Sequence, residues 1–206
     1  MTATAVTSIT NFLLAAETLF LAGMMAQTPK ARFSAAWYWS GALLMLGLGA
    51  LIGGIDHGFF QLAGQPRYWI QRSDWMVLGA ATFCVLMTTA NQFFRPRTVR
   101  IVLILAAVQF AADTAVVLLV DSFLDVILNY APVMILLLIM SSLGLKSRAG
   151  SGHMIAAILV LVAASAIQAL DVDTFSPVDH NGLYHLLSMI GVAFLYLGGQ
   201  RLKRVQ

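Results

Sequence analysis

Three histidines and several aspartates stand at the margins of long apolar runs in a chain otherwise poor in ionisable groups. The densest group is Asp179-His180-Asn181-Gly182-Leu183-Tyr184-His185, where the last apolar run begins; Asp56-His57 closes the second run and Asp74 opens the third. Imidazole with carboxylate is a ligand set suited to zinc, leaving an open position for water. A bound zinc lowers the pKa of that water and polarises a carbonyl, and a nearby carboxylate then moves the proton. On this reading His57, His180 and His185 hold Zn2+. Asp74 positions or deprotonates the metal-bound water as the catalytic acid–base group, and Asp56 and Asp179 orient the ligands.

Spacing limits the set. His180 and His185 are five apart, about 140° around an ideal helix, so they share no face. Both reach one ion only if His180 sits in the entry turn or the helix opens locally. Asn181 and His185 are four apart and do share a face, which leaves His180 a supporting place behind the ligands. The competing reading is that boundary histidines simply hydrogen-bond water, headgroups or a neighbouring aspartate.

The elements that position these groups follow from composition. The chain has 206 residues, 60% hydrophobic and 10% charged, against about 25% charged in soluble domains. Apolar runs of roughly 20 residues recur along it, the pattern of a polytopic helical membrane protein. The expected fold is an all-α seven-transmembrane helix bundle forming a single domain over 1–206, with spans near 9–26, 35–59, 75–94, 101–120, 123–145, 154–170 and 180–200. Pro29, Pro66, Pro96 and Pro177 fall in connections, Pro132 predicts a kink in the fifth span, and Asp121 to Asp125 forms a tight turn before it. The N-terminus lacks a basic region before its first apolar run, so no cleavable signal peptide is expected. The single Cys84 admits no intramolecular disulfide.

Orientation follows from the cations. Ten of the twelve basic residues (Lys30, Arg32, Arg95, Arg97, Arg100, Lys146, Arg148, Arg201, Lys203 and Arg204) collect on one side, leaving Arg67 and Arg72 on the other. An odd number of spans then puts the N-terminus outside and the C-terminus in the cytoplasm. His57, His180, His185 and most aspartates lie at the outer ends of the spans, in a bacterial-type inner or plasma membrane. Trp69, Trp75 and Tyr184 fit an outer aromatic belt; Trp37, Tyr38, Trp39 and Tyr196 fit an inner one.

Glu17 stands near mid-membrane, where a carboxylate is costly. It is expected to face the bundle, protonated or hydrogen-bonded by Gln109, Asn91 or Thr88, with a structural role or one in proton transfer, headgroup contact or ion binding. Asp113, nearer the outer surface, reads as structural or as lining a water-filled cavity. A retinal protein is excluded because Lys203 lies beyond the last span, and neither a phosphate-binding glycine loop nor a His-Glu-x-x-His helix is present.

The order His57, Asp74, His180 and His185 resembles that of the CREST superfamily of seven-helix membrane proteins, which includes alkaline ceramidases and progestin and adipoQ receptors. Its pattern is a Ser and a His near the end of helix two, an Asp opening helix three and paired histidines opening helix seven. Here Gly53 stands where the family Ser would be, and the paired histidines are five apart rather than four. The resemblance implies zinc-dependent hydrolysis of a lipid amide. The alternatives are a non-catalytic metal- or lipid-binding receptor or sensor, and proton- or cation-coupled transport through Glu17 and Asp113. Expected partners are the bilayer and a lipid substrate or ligand, with no nucleic acid.

Overall fold

The computed structural model describes residues 2–173 and 177–203. Among them run seven α-helices: α1 (Ala3–Gln27), α2 (Ala35–Ile55), α3 (Gln65–Phe93), α4 (Pro96–Leu119), α5 (Phe123–Leu143), α6 (Ser151–Ala169) and α7 (His180–Gly199). A π-helical segment, Asp56–Phe60, prolongs α2. With that extension counted, all seven are long and apolar enough to cross a membrane.

Starts are set by local chemistry. Thr2 accepts from the Ala5 amide at 3.3 Å, Ser34 from Trp37 at 3.3 Å and Asp179 from Gly182 at 2.8 Å, each satisfying an orphan donor of the first turn. Pro66 and Pro96 lie in the first turns of α3 and α4, where a missing amide hydrogen costs nothing, rather than in the connections. Helix α3 therefore begins ten residues before the apolar run that marked it in the sequence. The tight turn is also shorter than expected. Ser122 caps α5 by accepting from Leu124, which places Phe123 to Asp125 in that helix's first turn. Pro132 does lie inside α5.

Helix α1 packs between α2 and α7, and its contact with α2 is close because glycines face it. A Cβ on Gly53 would stand 2.9 Å from Asn11 Nδ2, on Gly54 2.9 Å from the Phe12 ring and on Gly58 2.6 Å from Ser8 Oγ. Ser8 Oγ also donates to the Gly54 carbonyl at 2.8 Å, beside the turn where α2 widens into the π segment. Helices α1 and α7 run parallel, since Thr7 meets Asp179 and Thr10 meets His185.

The main core lies towards the end where α1 finishes. Met25, Trp39, Leu43, Val85, Leu137, Met154 and Leu195 interlock there, with Ala22, Ala35, Ala36 and Ala42 allowing the backbones to approach. Trp39 is 1% exposed and donates its indole N–H to the Leu195 carbonyl at 3.0 Å. It is thus a core residue, as are the buried Tyr38 and Trp75, and not a belt anchor at the helix surface. Trp69 remains exposed. Among the described residues helix α4 touches only α3 and α5, and it turns Ile101, Ile104, Leu105 and Val108 outward.

Candidate functional site at the α1–α7 seam

His185, His57 and Asp179 meet where α1 and α7 begin. His185 lies one turn into α7 and is 6% exposed. Its Nδ1 is 3.0 Å from Thr10 Oγ1. That hydroxyl also lies 3.0 Å from the carbonyls of Val6 and Thr7 in its own helix. A threonine has one proton to give, so with it directed to a carbonyl the oxygen accepts from His185 Nδ1–H. Nε2 of His185 is then the unprotonated ring nitrogen.

His57 arrives from the π segment, a helical form that often marks functional sites. It is half-buried, within electrostatic range of both His185 and Asp179, and 3.4 Å from the Gln61 amide through Nδ1. Asp179 itself is occupied: besides capping α7 it accepts from Thr7 Oγ1 at 3.0 Å. Asp56 is 5% exposed and clamped by Arg67, with Nε 3.1 Å from Oδ1 and Nη2 3.4 Å from Oδ2. Its carboxylate serves that ion pair.

Asp74 faces α2, with Oδ1 3.1 Å from the place a Cβ on Gly49 would take, and this oxygen is buried without a hydrogen-bond partner. Asp56 and Tyr184 lie within electrostatic range of it. Tyr184 lies beside Ser188, with Tyr130 of α5 near it and Ser165 of α6 beside that tyrosine. A polar seam thus runs inward from the histidines across four helices, and Tyr184 belongs to it rather than to a surface belt.

His180 is not part of this group. Its Nδ1 lies 2.9 Å from Asp173 Oδ1, its backbone amide donates to the same oxygen at 2.7 Å, and its Nε2 accepts from Asn181 Nδ2 at 3.0 Å. Asn181 in turn accepts from Gln168 of α6 at 2.8 Å, so Asn181 serves the α6 side of α7 while His185 serves α1. The backbone and ring donors of His180 hold the Asp173 carboxyl below its ordinary range. Both ring nitrogens of His180 are committed. Among the described residues no group of three or more His, Cys, Asp or Glu side chains is arranged to hold a metal ion. The trio His57, His180 and His185 as placed does not fit a zinc centre.

Glu17 and Asp113 lie apart from the histidines. Asp113 packs over Gly79 of α3 with Asp125 of α5 as its charged neighbour, and each has one buried oxygen without a partner. Gln109 bonds Asn129 at 2.7 Å, Asn91 bonds the Met87 carbonyl and Thr88 bonds Cys84. None of the three reaches Glu17, because each finds an acceptor in its own helix or the next one. Glu17 lines an open groove of about 370 Å³ between α1 and α7, while its Oε2 is buried.

Arg72 was legible in the sequence only as an outer-side cation. It is 1% exposed, sandwiched 4.5 Å from both the Tyr68 and Trp75 ring centroids, and paired with the exposed Asp121 at 3.0 Å. The i, i+3 and i−4 aromatic spacing around it was the available signal.

Searches of curated proteins and of solved structures yield no match. Nothing found links the chain to the superfamily that its histidine order resembles. Residues 6–204 match the model of a family of unknown function, DUF6962, and the chain belongs to that family.

Proposed function

We propose that the chain is an integral membrane protein that binds the polar part of a lipid where α1 and α7 begin, holding it without catalysis. Its length, hydropathy and outward-facing aliphatic surface support membrane insertion. The distribution of cations supports an outside N-terminus, a cytoplasmic C-terminus and a site near the outer face.

The observation that carries the reading is the place of His185. It is buried on the α1–α7 seam, tied to Thr10 through Nδ1 and beside His57. Further along the same two helices opens an apolar groove. A polar group at His185 and His57 with a chain lying in the groove satisfies both parts. Desolvated polar side chains in such a place cost free energy unless they are paired or used.

The test is lipid retention, read by native mass spectrometry of protein extracted from its membrane and stripped by graded detergent washing. His185→Ala is expected to lose the retained lipid at milder washing than the wild type. His153→Ala, at the far end of the bundle beside Arg201, is expected to change nothing. Identical retention in all three proteins removes the proposal.

Zinc-dependent hydrolysis of a lipid amide is the second reading, favoured by the approach of His57, His185 and Asp179. Against it, Asn11 stands at Gly53, where the resembled family has its Ser, and His180 is bonded elsewhere. Elemental mass spectrometry decides: about one zinc per chain, lost in His57→Ala, would move the assignment to this reading.

A further inference from the structure

We infer that the α1–α7 groove selects a lipid whose apolar part bears a basic amine, with Glu17 as the recognition point for that amine. This rests on the lipid-binding reading and names the chemistry of the ligand.

The groove is lined by Glu17, Met189, Ile190, Ala193, Phe194 and Leu197. Five of the six are apolar, and the groove has a volume of about 370 Å³. Ile190 and Leu197 are 50% and 40% exposed, so the groove opens sideways from the bundle rather than along its axis. A molecule in lipid can enter it without crossing an aqueous mouth.

Within this apolar trough stands one carboxyl. Among the described residues Glu17 Oε2 is buried and has no hydrogen-bond partner. A carboxyl so placed is costly in an apolar medium unless a donor reaches it. The parallel run of α1 and α7 fixes its depth: Glu17 follows Thr10 by seven residues, about 10 Å further along the helix. An amine lodged there shares one proton with the carboxyl, forming a hydrogen bond or ion pair that low dielectric strengthens. A simple alkyl chain fills the apolar walls equally well but leaves the carboxyl unsatisfied. Charge complementarity thus separates an amine-bearing occupant from ordinary acyl chains.

The test uses dicyclohexylcarbodiimide on the full chain in phosphatidylcholine nanodiscs. The reagent adds to a carboxylic acid in an apolar setting, and peptide mass mapping locates the adduct. Glu17 is expected to be labelled, and N,N-dimethyldodecylamine, a tertiary amine that the activated carboxyl cannot acylate, is expected to slow that labelling at least about tenfold more than dodecanol, the ratio that ~1.4 kcal/mol supplies. Ala193→Phe, which fills the groove and keeps the carboxyl, is expected to abolish the difference while retaining wild-type thermal unfolding. Equal protection by amine and alcohol overturns amine selection and leaves lipid binding standing. An unlabelled Glu17 in folded protein overturns the groove as a site. The lipid-binding reading fails separately, if His185→Ala retains lipid as the wild type does.

Discussion

Asn11 of α1 occupies the space in front of Gly53 of α2, its Nδ2 2.9 Å from where a Cβ on that glycine would stand. Asn11 is buried, so its side chain has little room to swing away. Gly53→Ser is therefore expected to destabilise the bundle by about 1–3 kcal/mol, the usual cost of overpacking. Adding Asn11→Ala is expected to recover most of the loss. Thermal unfolding of the two single variants and the double variant in one detergent checks this, and additive losses would show that the two positions do not compete for space.

That pair also shows where sequence reading stopped. The number of helices and the direction of their apolar runs were legible, because a run of roughly 20 apolar residues has few alternatives to a helix. Helix starts such as Gln65 were less legible, since backbone hydrogen bonding continues through polar residues that periodicity ignores. The approach of His57 to His185 was anticipated from their common depth. The capture of His180 by Asp173 was not, because it depends on how the chain bends before α7. The groove at Glu17 was also hidden, for an unpaired carboxylate reads the same whether it faces the bundle or its surface.

Thr10 Oγ1 is the hydroxyl against Nδ1 of His185, and with its own proton on a carbonyl it favours Nδ1–H. Thr10→Val removes the oxygen that lies 3.0 Å from Nδ1 and frees the ring to change tautomer. Interhelical hydrogen bonds in membrane bundles average only about 0.6 kcal/mol and reach about 1.7. A small loss of stability is expected, with a clear loss of lipid retention; Thr10→Ser is expected to preserve both. Nitrogen-15 spectra of the imidazole should show Nδ1–H as the dominant neutral form in the wild type. A dominant Nε2–H form there would reverse the proposed role of Nε2.

Acid should loosen the start of α7 through Asp173. Its carboxyl is held below the ordinary range by the His180 amide and ring. A depressed folded-state pKa gives stabilisation that is present above the unfolded value of about 3.9 and lost as pH falls through the lower folded value. Hydrogen exchange of the peptide covering His180 to His185 is expected to accelerate beyond its intrinsic trend below about pH 4. Asp173→Asn should show the faster exchange already at neutral pH and flatten the acid limb. An unchanged profile in that variant would mean the contact does not order the helix entry.

Two glycines in the same class of helix should respond in opposite directions. Gly199 closes α7 against Trp39, and a Cβ there would fall inside the contact distance of the indole Cδ1 and Nε1. Trp39 cannot yield easily, being 1% exposed and bonded through Nε1 to the Leu195 carbonyl. Gly199→Ala is expected to cost about 1–3 kcal/mol by overpacking, and the smaller ring of Trp39→Phe is expected to relieve part of it. Gly23 of α1 has nothing within 4 Å of its would-be Cβ. Gly23→Ala there should instead gain roughly 0.5–1 kcal/mol from reduced backbone entropy loss. Melting temperatures of both variants, recorded by tryptophan fluorescence in one detergent, should therefore move to opposite sides of the wild type. A loss at Gly23 equal to that at Gly199 would place an unseen neighbour, such as a second copy of the chain, against the exposed face of α1.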